Sequence, residues 1–373
     1  MNNKVLAQTN VNQRNVGIDL LRIIAMFLIV LGHIVRFSFN YSDEGFPHND
    51  IRYIILDCIS NITLVGVNAY AMISGYVMVK RTPHISKLLP IWLQLFFISL
   101  TMAFVAKLIH IDLADKPLWK FALPISQNCW WYMTAYFGRY PLLPFVNRAL
   151  NNMSKKELLV GGYSLLSIFC LLPLLAHNAK LFQLEFGYSV IWLLVCYILG
   201  AMLFIMQDDI ESLLTRIHLS SSKMLLCTVL LLILLTLIND CVLTLPILGR
   251  FLYCLYYSYV SPIMVIYAIA LILFFSKLKI GNKWQKSIVL LSSLTLTIYL
   301  IHCHPIVFKQ LFFSPAHRIL AQNHSLTQIL GISFGYALFL FITSAVLGFC
   351  QIRLFKFIGN LLSICNLHKT TKQ

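Results

Sequence analysis

An all-helical membrane bundle is the fold class this sequence predicts, and three observations predict it. Of its 373 residues, 59% are hydrophobic and only 11% are charged, where a soluble domain carries roughly 25% charged residues. The mean hydropathy is +0.79. Apolar runs of about 20 residues, the length that crosses a bilayer as a helix, recur from one end of the chain to the other. A soluble globular protein is thereby excluded, and hydrocarbon admits such runs only as helices that satisfy their own backbone. The formal charge of +16, from 29 Lys and Arg against 13 Asp and Glu, would suggest nucleic-acid binding in a soluble chain. In this composition it reflects membrane topology, and the expected macromolecular surroundings are lipid, with no nucleic acid.

Polar or turn-rich breaks delimit ten spans, at 16–38, 52–79, 88–109, 127–146, 158–176, 189–206, 224–239, 255–276, 288–308 and 326–350. If they alternate from an N-terminus on the inside, most of the Lys and Arg fall on inner segments, among them Lys4, Arg14, Lys80, Arg81, Lys155, Lys156, Lys277, Lys283 and Arg353. Fewer fall opposite, for example Arg36, Arg52, Lys107 and Arg250. Both termini are therefore expected in the cytoplasm. Residues 1–15 lack the short apolar core and small-residue cleavage site of a signal peptide and read as a cytoplasmic tail. Residues 16–355 form one membrane domain, and 356–373 a second cytoplasmic tail. Neither an internal repeat nor a linker divides the chain. The ten Cys include no C-x-x-C pair and fall mostly within apolar spans, so packing is their expected role; Cys241, near an outer loop, is the one to test.

Ionisable groups inside a span are costly, and each is a functional candidate until a cheaper explanation is found. The first span holds Asp19, Arg22 and His33. Eleven residues on a helix return the side chain to within about 20° of its starting direction and advance it roughly 16 Å, so Arg22 and His33 share a face. Asp19 lies one turn before Arg22, where a carboxylate and a guanidinium meet, although both are also placed to act as interfacial residues that snorkel. His33, within Ile29-Val30-Leu31-Gly32, has no such explanation and points to catalysis or transport.

In the fourth span, Cys129-Trp130-Trp131-Tyr132 reads as an interfacial aromatic belt, whereas Arg139 should face the interior and find an acid or an anionic ligand; Asp57 in the second span is its possible partner. Ser74-Gly75, ahead of Lys80 and Arg81, suits a close helix crossing beside a basic mouth able to hold phosphates. In the ninth span, His302 and His304 point to opposite sides of a helix and make a poor chelate, so no metal site is expected. His304 precedes Pro305 and marks a break, and Tyr299 shares nearly one face with His302, as a packed polar pair or as part of a cavity.

Gly17-Ile18-Asp19-Leu20-Leu21-Arg22 with His33 eleven residues on resembles the opening of membrane acyltransferase family 3, the integral-membrane O-acyltransferases of surface polysaccharides. In the same order, Asn68-Ala69-Tyr70-Ala71-Met72-Ile73-Ser74-Gly75-Tyr76 is similar to the family's second span. Trp131-Tyr132 with Tyr140-Pro141-Leu142-Leu143-Pro144 resembles its fourth, and Ile298-Tyr299-Leu300-Ile301-His302 its late Tyr-Leu-Ile-His motif. The likeness covers about residues 16–355, and within the family it is to the branch that acetylates enterobacterial common antigen and biofilm exopolysaccharides. One departure concerns the basic loop: some members carry Arg-x-x-Arg after the second span, where this chain has Lys80-Arg81 and, further on, Lys87.

The resemblance implies an O-acetyltransferase of a bacterial inner membrane, with acetyl-CoA as donor substrate and no resident cofactor. A polysaccharide or lipid-linked saccharide is the acceptor. His33 would be the general base, with Arg22 and Asp19 beside it. Arg22, Arg139, Lys80 and Arg81 would hold the acyl-CoA, and Asp57, Ser74, Trp131, Tyr299 and His302 would line the substrate cavity. Direct attack and an acyl-enzyme are both open at this point. The competing classes are a transporter or flippase of a lipid-linked saccharide, with buried His and Arg as a relay, and a non-catalytic scaffold.

Overall fold

The computed structural model describes residues 14–38, 50–111, 113, 117–242, 246–312 and 324–370, with backbone alone at 38, 241–242, 246–248, 311–312 and 355–370. Among the described residues there is no strand. Helix α1 (Val16–His33) starts at Asn15, whose side chain accepts the Ile18 N–H, and widens at its far end into a π turn, Ile34–Ser38. Helices α2 (Ile51–Leu64) and α3 (Gly66–Met78) form one crossing interrupted at Val65. Next come α4 (Leu88–Leu108), α5 (Trp131–Arg139), α6 (Leu143–Asn152), α7 (Lys155–Leu166) and α8 (Leu172–Leu175). They are followed by α9 (Val190–Ile205), the polar connector α10 (Gln207–Arg216), α11 (Ser221–Val242), α12 (Pro246–Leu252) and α13 (Pro262–Ser276). The chain ends with α14 (Asn282–His302), α15 (Pro305–Phe312) and α16 (Leu326–Thr370). The last of these continues helical through residues set aside above as a tail. The expected tail at 1–15 lies almost wholly outside the described residues.

Eight described helical segments are long and apolar enough to cross a membrane, and a ninth if the pair Leu181–Gly187 and Val190–Ile205, bent by 79°, makes one crossing. The fourth expected span, 127–146, is not one continuous helix. It divides into α5 and α6 around a 3-10 turn at Tyr140–Leu142, because Pro141 has no N–H to continue the ladder and the second half carries Asn147, Arg148, Asn151 and Asn152. The two pieces still traverse the bundle. Trp130 Nε1 donates to the Leu300 carbonyl near the end of α14, and Asn147 Nδ2 donates to the Met78 and Arg81 carbonyls at the opposite end, beyond α3.

Helix α3 makes its most extensive contact with α9. A Cβ on Gly75 would meet the Tyr197 carbonyl oxygen, and one on Gly200 the Met72 carbonyl oxygen, so each helix supplies a glycine to the crossing and the backbones touch. A larger apolar cluster gathers α3, α9 and α13, and a second gathers α1, α4, α14 and α16. Side chains that point away, such as Phe97 and Phe104 on α4, Leu230 and Leu234 on α11, and Phe334 and Phe339 on α16, are exposed and apolar. Lipid covers such a surface in a multi-pass membrane protein.

Asn68, fully buried on α3, accepts from the Trp192 indole at 2.9 Å and donates to the Tyr259 carbonyl at 2.7 Å, joining α3 to α9 and to the turn before α13. Asn68→Ala would leave both partners buried and unpaired, a loss of about 1–3 kcal/mol. A lowered thermal midpoint of the detergent-solubilised protein checks this, and an unchanged midpoint contradicts it.

Candidate active site

A cavity of about 460 Å³ lies between the two apolar clusters, walled chiefly by α1, α3, α5 and α14. Arg22 and His33 both open onto it, as the eleven-residue spacing requires, and Met26 and Ile29 between them line the same wall. Asp19 is buried behind Arg22. Its carboxylate accepts from Arg22 at 2.8 Å, from Arg14 at 2.5 and 3.0 Å and from the Ser292 hydroxyl at 3.0 Å. The last contact ties α1 to α14, while Asn15 Nδ2 on the Ser276 carbonyl ties α1 to α13. Arg22, half-buried and held by Asp19 at 2.8 Å, lines the cavity wall. Donors fixed in this way recognise phosphate and carbonyl oxygens.

At the other end His33 sits among rings: Phe308 at 5.2 Å, His302 at 5.4 Å and Phe37 at 5.9 Å between centroids. Arg36 also lines this end. It donates to the Ser60 hydroxyl at 2.8 and 3.2 Å and lies 5.6 Å from the Tyr257 ring. Trp131 packs at a tilt on Tyr188, 4.6 Å between centroids, and stacks on Tyr259 at 6.3 Å, forming an aromatic wall beside these groups. Among the described lining residues none is acidic, so the cavity is cationic at both ends with an imidazole near one of them.

Ser74 and Tyr299 also line the cavity. The Ser74 hydroxyl donates to the Tyr70 carbonyl, and Tyr299 packs edge-on to Tyr132. His302 is buried behind the wall: its Nδ1 is 2.6 Å from the Ile298 carbonyl and its Nε2 is 3.2 Å from the Cys303 sulfur. His33, His302 and Cys303 bring one ligand atom each to within 4.8 Å of one another. The pair weighed from the sequence, His302 and His304, is not the cluster that forms; His304 turns instead to Trp130 and Phe121. The helix does break there, with α14 ending at His302 and α15 starting at Pro305.

Four candidates, Arg139, Asp57, Lys80 and Arg81, lie away from this cavity. Arg139 is fully buried with its cation 5.1 Å from the Tyr136 ring and 5.4 Å from the Tyr197 ring, and it donates to the Leu193 carbonyl at 3.4 Å. These contacts are aromatic and peptide groups, and Asp57 is not among them. Asp57 accepts from Asn61 Nδ2 at 3.0 Å, in a buried polar cluster with Thr236 of α11. Lys80 and Arg81 are exposed and line a separate cleft of about 540 Å³ with Arg148, Asn147 and Asn151. Asn147 and Asn151 hold the loop by bonding the carbonyls of Met78, Val79 and Arg81. The residues the sequence reading missed are Arg36, Tyr188 and Tyr259, which line the cavity, and Cys303, read as packing; only its position after His302 signals Cys303, because His33 reaches it through the fold alone.

Residues 15–350 match the family model described as an acyltransferase domain, the acyltransferase 3 family. The chain belongs to that family. No curated protein and no solved structure matches it. As a member of the acyltransferase 3 family, the protein is an acyltransferase of the membrane, and the Arg22-to-His33 cavity lies within the residues that the family model covers.

Proposed function

We propose that the protein moves an acetyl or other short acyl group from acyl-CoA to a hydroxyl of a surface or exopolysaccharide sugar at a bacterial inner membrane. The observation that carries this reading is one cavity with a guanidinium at its first end and an imidazole three helical turns away, roughly 16 Å along α1. Basic groups gather at the end of the bundle that holds Lys80, Arg81 and Arg148. Ser74 in the cavity and Arg81 in the basic cleft are separated by about 10 Å of chain along α3 and its continuation. Coenzyme A carries phosphates on one end and a thioester at the tip of a long flexible arm, which suits a basic cleft that lies this short length of chain from the cavity. Arg22 would bind polar groups of that arm, and His33 would take the proton of the attacking hydroxyl, since imidazole is the side chain suited to that exchange at neutral pH. Arg36 and the Trp131, Tyr188 and Tyr259 wall face the acceptor, where stacking on sugar rings and a contact to an anionic saccharide or its lipid phosphate would hold it. The basic bias of the Lys80 end supports placing it in the cytoplasm with both termini.

The test is acetyl transfer in membrane vesicles supplied with radiolabelled acetyl-CoA and purified polysaccharide. Labelled ester in the saccharide is expected; saccharide flux with no label in the product would establish a transporter instead. Arg22→Ala should raise the KM for acetyl-CoA about tenfold, the loss of one charge-assisted contact, and an unchanged KM would remove Arg22 from the donor site. Arg139→Ala should act differently, lowering the amount of folded protein while the remaining enzyme keeps its KM, because its guanidinium touches Tyr136, Tyr197 and Leu193 and lies off the cavity wall.

A further inference from the structure

Cys303 stands where the cavity meets His33, and its surroundings are those of a nucleophile. Cys303 is among the residues that line the cavity. His302 Nδ1, 2.6 Å from the Ile298 carbonyl, faces a group that only accepts, so this nitrogen carries the proton and Nε2 presents its lone pair. That lone pair is 3.2 Å from the Cys303 sulfur, which donates its S–H to it. A nucleophile, a base within reach and a third group fixing the base's tautomer are the arrangement that covalent acyl transfer needs. Cys303 caps the C-terminal end of α14, where the helix dipole disfavours a standing thiolate, so a base must act at the moment of attack. His33 Nδ1 lies 3.8 Å from the same sulfur, and one ligand atom from each of the three residues lies within 4.8 Å of the others.

We propose that Cys303 carries the acyl group between donor and acceptor, with His302 and His33 serving the two half-reactions; this deepens the acyl-transfer reading above and rests on it. In the first half, the Cys303 sulfur attacks the acetyl carbonyl carbon of acetyl-CoA. A bond forms from that sulfur to carbon, and the bond from carbon to the CoA sulfur breaks. The thiol proton passes to His302 Nε2 and from there to the departing CoA sulfur. In the second half, a sugar hydroxyl attacks the Cys303 thioester and its proton goes to His33 Nδ1. The bond from carbon to the Cys303 sulfur breaks, and His33 returns the proton to that sulfur. Both imidazoles end as they began. One thioester is exchanged for another in the first half, which keeps the activated acyl group for the second, where an ester forms. The two histidines within reach of one sulfur divide the proton traffic, so donor and acceptor need not occupy the cavity together.

Such an enzyme exchanges label between acetyl-CoA and free CoA when no saccharide is present, and the whole protein in membrane vesicles is suited to the measurement. With acetyl-labelled acetyl-CoA plus unlabelled CoA, the wild type should catalyse exchange. Brief incubation should also leave acetyl on the protein that neutral hydroxylamine removes. Cys303→Ala should lose the exchange and the protein-bound label, and its saccharide acetylation should fall by about 100-fold or more. Cys303→Ser, close in volume, should also lose hydroxylamine-labile label, which guards against a variant that fails to fold. Wild-type acetylation of saccharide without CoA exchange, or full activity in Cys303→Ala, would overturn the acyl-cysteine and leave the acyl-transfer reading intact. A wild type that neither exchanges CoA nor acetylates any saccharide would overturn both.

Discussion

His33→Phe is expected to abolish acetyl transfer, lowering kcat by about 10²- to 10⁴-fold, the range that a positioned general acid–base group supplies. Phenylalanine is the informative replacement because the ring at this position packs on Phe308 and Phe37. A phenyl group keeps those contacts and removes only the nitrogens. The protein should therefore remain in the membrane at its normal level, and acetyl-CoA binding at the Arg22 end should persist. His33→Ala should lose as much activity with some loss of packing. Turnover at the wild-type rate in His33→Phe would eliminate the imidazole from the chemistry. Because the cavity wall offers no described carboxylate to stand in for it, a partial rescue is not expected from within the protein.

Gly75→Leu is expected to remove the folded protein altogether. The Cβ alone would collide with the Tyr197 carbonyl oxygen, a backbone atom that moves only if α9 moves, and α9 faces the matching constraint of Gly200 on Met72. Overpacking an interior costs about 1–3 kcal/mol where side chains can yield, and here the yielding element is a helix. Asn68 and Trp192, which bond across the same interface, would be pulled apart with it. Even Gly75→Ala should lower the yield of folded protein, and Gly200→Leu should match Gly75→Leu. Size-exclusion profiles and thermal midpoints of the solubilised variants check this, with wild-type values in Gly75→Leu as the contradicting result.

The contrast between these two positions shows what the sequence displays and what it conceals. Helical periodicity was enough to put Arg22 and His33 on one face and Asp19 beneath Arg22, since all three belong to one helix whose geometry is fixed by its own hydrogen bonds. The apolar runs and the proline after His304 were likewise readable, because span length and a missing N–H are local properties. Pairings between helices were not. Arg139, expected to find an acid or an anionic ligand, lies between two tyrosines, one of them Tyr197 from a helix far along the chain. Asp57, the partner expected for Arg139, bonds to Asn61 beside Thr236. Cys303 looked like one packing thiol among several, and it gains meaning only once α1 is set beside α14. The fourth expected span reads as one helix, because hydropathy sums over the turn at Tyr140–Leu142 that divides it into α5 and α6.

The central claim is that one cavity delivers an acyl group along α1 from the Arg22 end to His33. Purified protein in sealed vesicles, with labelled acetyl-CoA on one face only and a membrane-impermeant saccharide on the other only, tests it most directly. The account requires labelled ester on the saccharide in wild-type vesicles oriented with the Lys80 loop toward the donor, and none in His33→Phe. Label that appears only when donor and saccharide share a face would contradict it.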